Sequence, residues 1–310
     1  MACLNLRLVG LFAPAGLVLT WSSGFVGAEL SARVGDPPLT VLGWRFVVLA
    51  GVLITACAAT RTSLVTWAGW RRQIVLGLLC QVGFLVCIFE GVSHGVTSGT
   101  SALIGALQPL LVASVAGRLL GEKSSATMWL GMAVGFAGVA VVVGGDLRGS
   151  DTPLWAFAFP MAGMLSLAAG TVLTRRLRPS ETLLQSITMQ SLTGAVALMA
   201  VAGVAGQASP PGHLRNWLPI VWLVALPSLG GYGLYIYVTR TLGATVVSAL
   251  LYLTPPTTML WAFLMFREGL TVLGFVGLLI SGVGVFLVLS GRRSRSITVG
   301  PAVAATEPTT

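Results

Sequence analysis

Ionisable side chains are scarce within the long apolar stretches of this chain, and those few are its first candidates for chemistry. Arg45 lies about seven residues inside one such stretch, roughly 10 Å at helical rise. Glu90 and His94 fall near the end of another, and Glu29 ends the first. A charge in hydrocarbon is costly, so an intramembrane ionisable residue is by default a substrate or proton site. Glu90 and His94 are four apart, share a helix face and can share a proton. In a poorly hydrated site burial favours a carboxylate's protonated form, which makes Glu90 a candidate proton carrier. Two plainer roles compete: an ion pair with Arg45, or a side chain reaching to the membrane surface. Arg45 has Glu29 and Glu90 as alternative partners.

Enzyme chemistry finds no such footing. The patterns GxxxxGK[ST] and HExxH do not occur, which removes ATP drive and the zinc-hydrolase signature. His94 and His213 stand more than a hundred residues apart, and Cys3, Cys57, Cys80 and Cys87 have no metal-ligand spacing. The last three fall in apolar stretches and read as small buried thiols. No cofactor or metal and no enzymatic activity are expected.

The elements that must hold these residues follow from composition. Of 310 residues, 55% are hydrophobic and 9% charged, far below the quarter that is usual in soluble domains. Apolar stretches near the roughly 20 residues a membrane helix needs give ten spans: 8–28, 38–58, 74–93, 98–118, 125–145, 153–174, 184–205, 217–238, 243–265 and 270–290. The fold class is an all-α polytopic membrane protein; a β-barrel would alternate in polarity, and these stretches do not. Asp36 ahead of Pro37-Pro38 and Asp151-Thr152 ahead of Pro153 read as helix N-caps. Trp70, Trp129 and Trp217 read as interfacial anchors. The first span lacks a cleavage site and a basic start, so it is read as retained.

Basic residues set the orientation. Thirteen, among them Arg61, Arg71, Arg72, Arg175 and Arg240, collect on one side, and five (Arg33, Arg45, Arg148, Arg215, Arg267) on the other. Both termini are therefore expected in the cytoplasm, with the chain multi-pass in the inner (plasma) membrane. The net charge of +9 is scattered between spans rather than gathered on a face, which excludes a nucleic-acid partner.

The chain also repeats itself. At an offset of 146 residues Pro109 falls on Pro255, Glu122 on Glu268, Gly131 on Gly277 and Gly138-Val139 on Gly284-Val285, among nine identities over 107–145. Gly16 answers Gly163 with a shift of one. Five spans per copy is an odd number, so the second copy is inverted, as in secondary transporters. Gly131 with Gly135, and Gly277 with Ser281, form small-xxx-small pairs that let backbones approach. The expected units are 1–150, 151–291 and a flexible cytoplasmic tail, 292–310.

The run from His94 through Ser98-Gly99, Ala106-Leu107-Gln108-Pro109, Gly121-Glu122-Lys123 and Gly138-Val139 resembles the first EamA-type module of the drug/metabolite transporter superfamily. Ser248 to Pro255, Arg267-Glu268 and Gly274 to Val285 resemble the second. Trp21-Ser22-Ser23-Gly24-Phe25 and Trp44-Arg45-Phe46 fit as well. One departure is Arg267-Glu268 where the first copy has Gly121-Glu122.

The resemblance implies ten helices in two inverted five-helix halves around a central cavity, and transport without ATP hydrolysis. It places Trp21, Gln108, Gln190, Tyr235 and Tyr252 in cavity-lining spans. Gln108 and Thr254 each precede the repeated proline, which frees a carbonyl one turn back. With Arg45, Glu90 and His94 these are the candidate substrate-binding residues, ordinary helix-to-helix hydrogen bonding being the alternative for each. The expected function is export of a small metabolite or drug by secondary-active alternating access. Expected partners are a metabolite, amino acid or drug, a coupling proton or ion, the bilayer, and a second copy in a homodimer. An integral membrane enzyme acting on a lipid or isoprenoid would need clustered carboxylates, which are not found; a passive channel sits poorly with inversion.

Overall fold

A computed structural model describes residues 2–64, 67–112, 126–149, 151–242, 247, 250–267, 269 and 271–296. In hydrocarbon every backbone polar group must pair within its own segment, and the described residues are helical throughout, with short connections. In chain order the helices are α1 (Ala2–Val34), α2 (Pro38–Ala59), α3 (Trp67–Ser93), α4 (Ser98–Gly105, resuming over 108–112), α5 (Ala126–Gly149), α6 (Leu154–Leu177), α7 (Leu183–Val204), α8 (Leu214–Leu242), α9 (Thr254–Phe266) and α10 (Val272–Ser296). Among the described residues, α2, α3, α6, α7, α8 and the Trp129–Leu147 part of α5 are the six long and apolar enough to cross a membrane.

The repeat is legible in the packing. Where α5 meets α10, a Cβ built on Gly138 would stand 2.6 Å from the Gly277 carbonyl oxygen, and one on Gly284 2.7 Å from the Gly135 Cα. Ser281 Oγ donates to the Gly135 carbonyl at 3.2 Å. Shifting each residue by 146 maps this contact set onto itself, the pattern of a two-fold interface. Gly145 meets Leu273 near the start of α10 while Gly131 meets Gly284 further along, so the two helices run antiparallel. The small-xxx-small pairs do what their spacing suggests. The same relation holds elsewhere: α1 packs on α8 and α9 as α6 packs on α3 and α4, and Gly16 meets Leu234 as Gly163 meets Cys87.

Four features depart from the sequence reading. Asp36 is not a cap: Pro37 occupies that position, and Asp36 instead accepts from Asn216 Nδ2 at 2.9 Å. Pro153 likewise takes the cap position there, and Thr152 donates to the Gly95 carbonyl at 2.8 Å; side chains cap α4, α7 and α10, by Thr97, by a Thr182–Gln185 capping box and by Thr271. Helix α10 runs on to Ser296, so the tail expected from residue 292 begins as helix. Finally, α3 and α8 are not uniform. Each widens into π-helix, over Leu78–Gly83 and Val224–Gly231, at starts 146 residues apart. Glu122 and Glu268 lie outside the described residues, as does the tail beyond Ser296.

Candidate substrate site

The π-helical segment of α8 follows from one residue. Pro227 has no N–H to give the Leu223 carbonyl four residues back. The Ser228 hydroxyl takes that carbonyl instead, at 2.7 Å. Its oxygen in turn accepts from Arg45 Nη2 at 3.0 Å. Arg45 is 5% exposed, with its guanidinium 4.7 Å from the Phe46 ring centre. Its Nε and Nη1 are buried without a partner. Neither expected acid reaches it: Glu29 pairs with Arg33 at 2.8 Å, and Glu90 faces His94.

One turn beyond Ser228 stands Tyr232, within electrostatic reach of Arg45. Its hydroxyl accepts from Nε2 of Gln81, in the π-helical segment of α3, at 3.1 Å. Trp21 meets the Tyr232 ring edge-on at 5.6 Å and stacks on Tyr235 at 5.8 Å. The Trp21 ring lies beside Gly231. One cluster thus draws on α1, α2, α3 and α8: an unpaired buried cation, a hydroxyl, an amide and three aromatic faces. On α3 the π-helical carbonyl of Leu79 is taken up by Ser166 Oγ of α6 at 2.8 Å.

Of the candidates, Trp21, Arg45 and Tyr235 are brought together here, and the others are not. His94 Nδ1 is 3.9 Å from the Glu90 carboxylate and 2.7 Å from the Glu90 carbonyl oxygen, between the rings of Trp155 and Phe159. The Glu90 side chain is 26% exposed. Gln108 donates to Thr171 Oγ1 of α6 at 2.8 Å. Gln190 donates to Gln73 at 2.8 Å, and Gln73, fully buried, donates to Glu181 and Ser186. Tyr252 packs against the apolar cluster of Leu103, Leu107 and Val139. The Thr254 carbonyl accepts from Ser22 Oγ at 3.4 Å. The helix breaks beside both prolines do exist, at Ala106-Leu107 and Tyr252-Leu253.

Sequence reasoning passed over Gln81, Ser228 and Tyr232, although Pro227 in mid-span was a usable signal for the break that places two of them. It also passed over Asp146, one residue beyond the fifth assigned span, which accepts from Thr100 at 2.6 Å and Thr97 at 3.3 Å. Cys57, Cys80 and Cys87 are free thiols, and the described residues hold no metal-binding cluster of His, Cys, Asp and Glu.

A chain whose described residues are helical, with two related halves and polar groups gathered at breaks within its helices, is built as membrane carriers are. The family model of EamA-like transporters matches residues 8–144 and 154–290, two stretches offset by the same 146 residues, and the chain belongs to that family. It is 27% identical over 293 residues to the uncharacterized inner membrane transporter YedA of Escherichia coli, covering 92% of each. It is 22% identical over 294 residues to a probable amino-acid metabolite efflux pump of the same organism, covering 92% of this chain and 96% of that one. A probable terminal-alkyne amino-acid exporter of Streptantibioticus cattleyicolor is 29% identical over 296 residues, covering 91% and 95%. A solved crystal structure shares the fold with a TM-score of 0.61 at 20% identity, covering 92% of this chain and 98% of the other. By its family the chain is a membrane transporter, and its kinship is with transporters rather than enzymes.

Proposed function

We propose that this chain exports a small metabolite, of the amino-acid-like kind its relatives' names record, across the inner membrane by secondary-active alternating access. The observation that carries the reading is the self-mapping contact set of α5 and α10, which supports two inverted halves with the Arg45 cluster between them. Two such halves rock about one site, opening it to either side in turn. Ten spans with both termini in the cytoplasm accommodate the chain, in units 1–150 and 151–291.

Polar contacts gather at the two ends that this arrangement defines. Arg72 with Glu181, and Gln185 with Ser63, gather where the basic count puts the cytoplasm. Asn216 with Asp36, Thr40 with Gln207, and Arg33 over Phe266 gather at the opposite end.

Counterflow in proteoliposomes with a labelled metabolite panel tests the function; a protein that equilibrates none of the panel counts against it. Single cysteines replacing Arg72 and His213, in a background without the native four, test the orientation. They should react with an impermeant thiol reagent from opposite sides, and labelling of both from one side overturns the ten-span arrangement.

A further inference from the structure

Arg45 is a group the fold leaves unfinished. Burying a guanidinium is expensive unless its charge is balanced and its donors are used. Here one nitrogen meets one hydroxyl, Nε and Nη1 meet nothing, and the two expected acids, Glu29 and Glu90, face other partners. Among the described residues the face of Phe46 adds some compensation. The missing partner is an anion with oxygens in a plane, because the guanidinium fork matches a carboxylate in two parallel bonds. One guanidinium balances one negative charge; a phosphate dianion would remain uncompensated. Beside it the rings of Trp21, Tyr232 and Tyr235 offer an apolar wall, and Gln81 fixes the Tyr232 hydroxyl.

We propose that Arg45 is the receptor for a carboxylate on the transported molecule, whose apolar body lies against Trp21, Tyr232 and Tyr235. This rests on the transporter reading above and narrows its substrate to carboxylic acids with an aliphatic or aromatic body. Binding of the acid supplies the charge that the fold lacks.

The test uses the full chain in nanodiscs, titrated with L-leucine, L-phenylalanine, 4-methylpentanoate and 3-phenylpropionate, each beside its carboxamide. Tryptophan fluorescence and melting temperature are the readouts. A hydrogen-bonded charge pair sets an expected preference of about tenfold or more for an acid over its amide. Arg45→Gln should abolish that preference while retaining a monodisperse gel-filtration profile. If Arg45→Gln does not fold, Arg45→Lys carries the test: a point charge without the fork keeps the sign of the preference and loses much of its size. The proposal is overturned if every amide binds as well as its acid, or if either variant keeps the preference undiminished. Counterflow separates this from the parent reading. Movement of amides but not acids sinks the carboxylate site and leaves the transporter standing; acid binding without movement does the reverse.

Discussion

Helices α5 and α10 and helices α3 and α8 are both pairs related by the internal repeat, yet they meet in opposite ways. The first pair touches backbone to backbone, with glycines at 135, 138, 277 and 284 and a serine at 281 making the approach possible. The second pair reaches across with long polar side chains, Gln81 to Tyr232, from helices widened into π turns. Small residues drive association in lipid because close packing gains dispersion energy where the hydrophobic effect is absent. Polar groups at a broken helix instead give up packing and leave donors available to a ligand. One duplication event thus served two ends: a seam where the halves join and a site where they part.

The seam is where substitution should cost most. Gly277→Leu drives a side chain into the Gly138 carbonyl and Val142, and overpacking of this kind costs about 1–3 kcal/mol or more. Folded yield in detergent should collapse. Gly144, on α5 but with nothing within 4 Å of a built Cβ, is the control, and Gly144→Leu should fold normally. Equal yields from the two variants would remove the seam from the comparison. Normal folding of Gly277→Leu with lost transport would instead make the glycine a hinge.

How far the sequence reached differs between the two regions for a physical reason. The seam was legible because its residues are small, periodic and duplicated; Gly131, Gly138, Gly277 and Gly284 register with one another on the page of letters. The break at Pro109 and Pro255 was legible for the same reason, since proline removes a donor wherever it falls. The π segment of α3 was not, because Leu78–Gly83 contains no proline and the partner of its Leu79 carbonyl, Ser166 of α6, is seen only in the fold. The site itself was half legible. Arg45 stood out as a charge in an apolar stretch, but its lack of an acid could be seen only once Glu29 was found on Arg33. Gln108 and Gln190 were polar in the right spans and turned out to join α4 to α6 and α7 to α3, since a polar side chain's span does not say which neighbour it meets.

A sharper cut into the site comes from Gln81. Gln81→Leu takes the donor from the Tyr232 hydroxyl, and a polar atom so stranded costs about 1–3 kcal/mol. Adding Tyr232→Phe should return most of that stability, as removing both partners does. Chemical denaturation of the three variants measures it, and additive losses would mean the two side chains do not interact.

Acid should act more weakly, at the end of the molecule where Arg72 meets Glu181. In the loop between α6 and α7, the hydrogen bond from Arg72 holds the Glu181 carboxyl below its usual value, and the Gln73 amide adds to it. A group depressed in the folded state contributes stability above its unfolded pKa and loses it as pH falls through the folded one. The melting temperature should therefore decline below about pH 4.5 by the equivalent of up to about 1 kcal/mol, the range for partly exposed pairs. Glu181→Gln should lie lower at neutral pH and be flatter with acid. Identical pH profiles for the two proteins would show that Arg72 and Glu181 do not stabilise the fold.

The smallest effect is expected at Glu90, and its smallness is informative. If Glu90 balanced Arg45, Glu90→Gln would strand a buried cation, cost about 3–5 kcal/mol, and be rescued by Arg45→Gln. The structure gives Glu90 a different neighbour, His94 at 3.9 Å, in a half-exposed position beside Trp155 and Phe159. Exposed sites of this kind tolerate substitution within about 0.5 kcal/mol. Glu90→Gln should accordingly melt with the parent protein, and adding it to Arg45→Gln should change nothing. Rescue in the double variant would reinstate the ion pair and fill the gap at Arg45, taking with it the reason to seek a carboxylate there. Unchanged melting together with lost gradient-driven transport would point elsewhere: to Glu90 and His94 passing a proton at the outer mouth, separate from where the substrate sits.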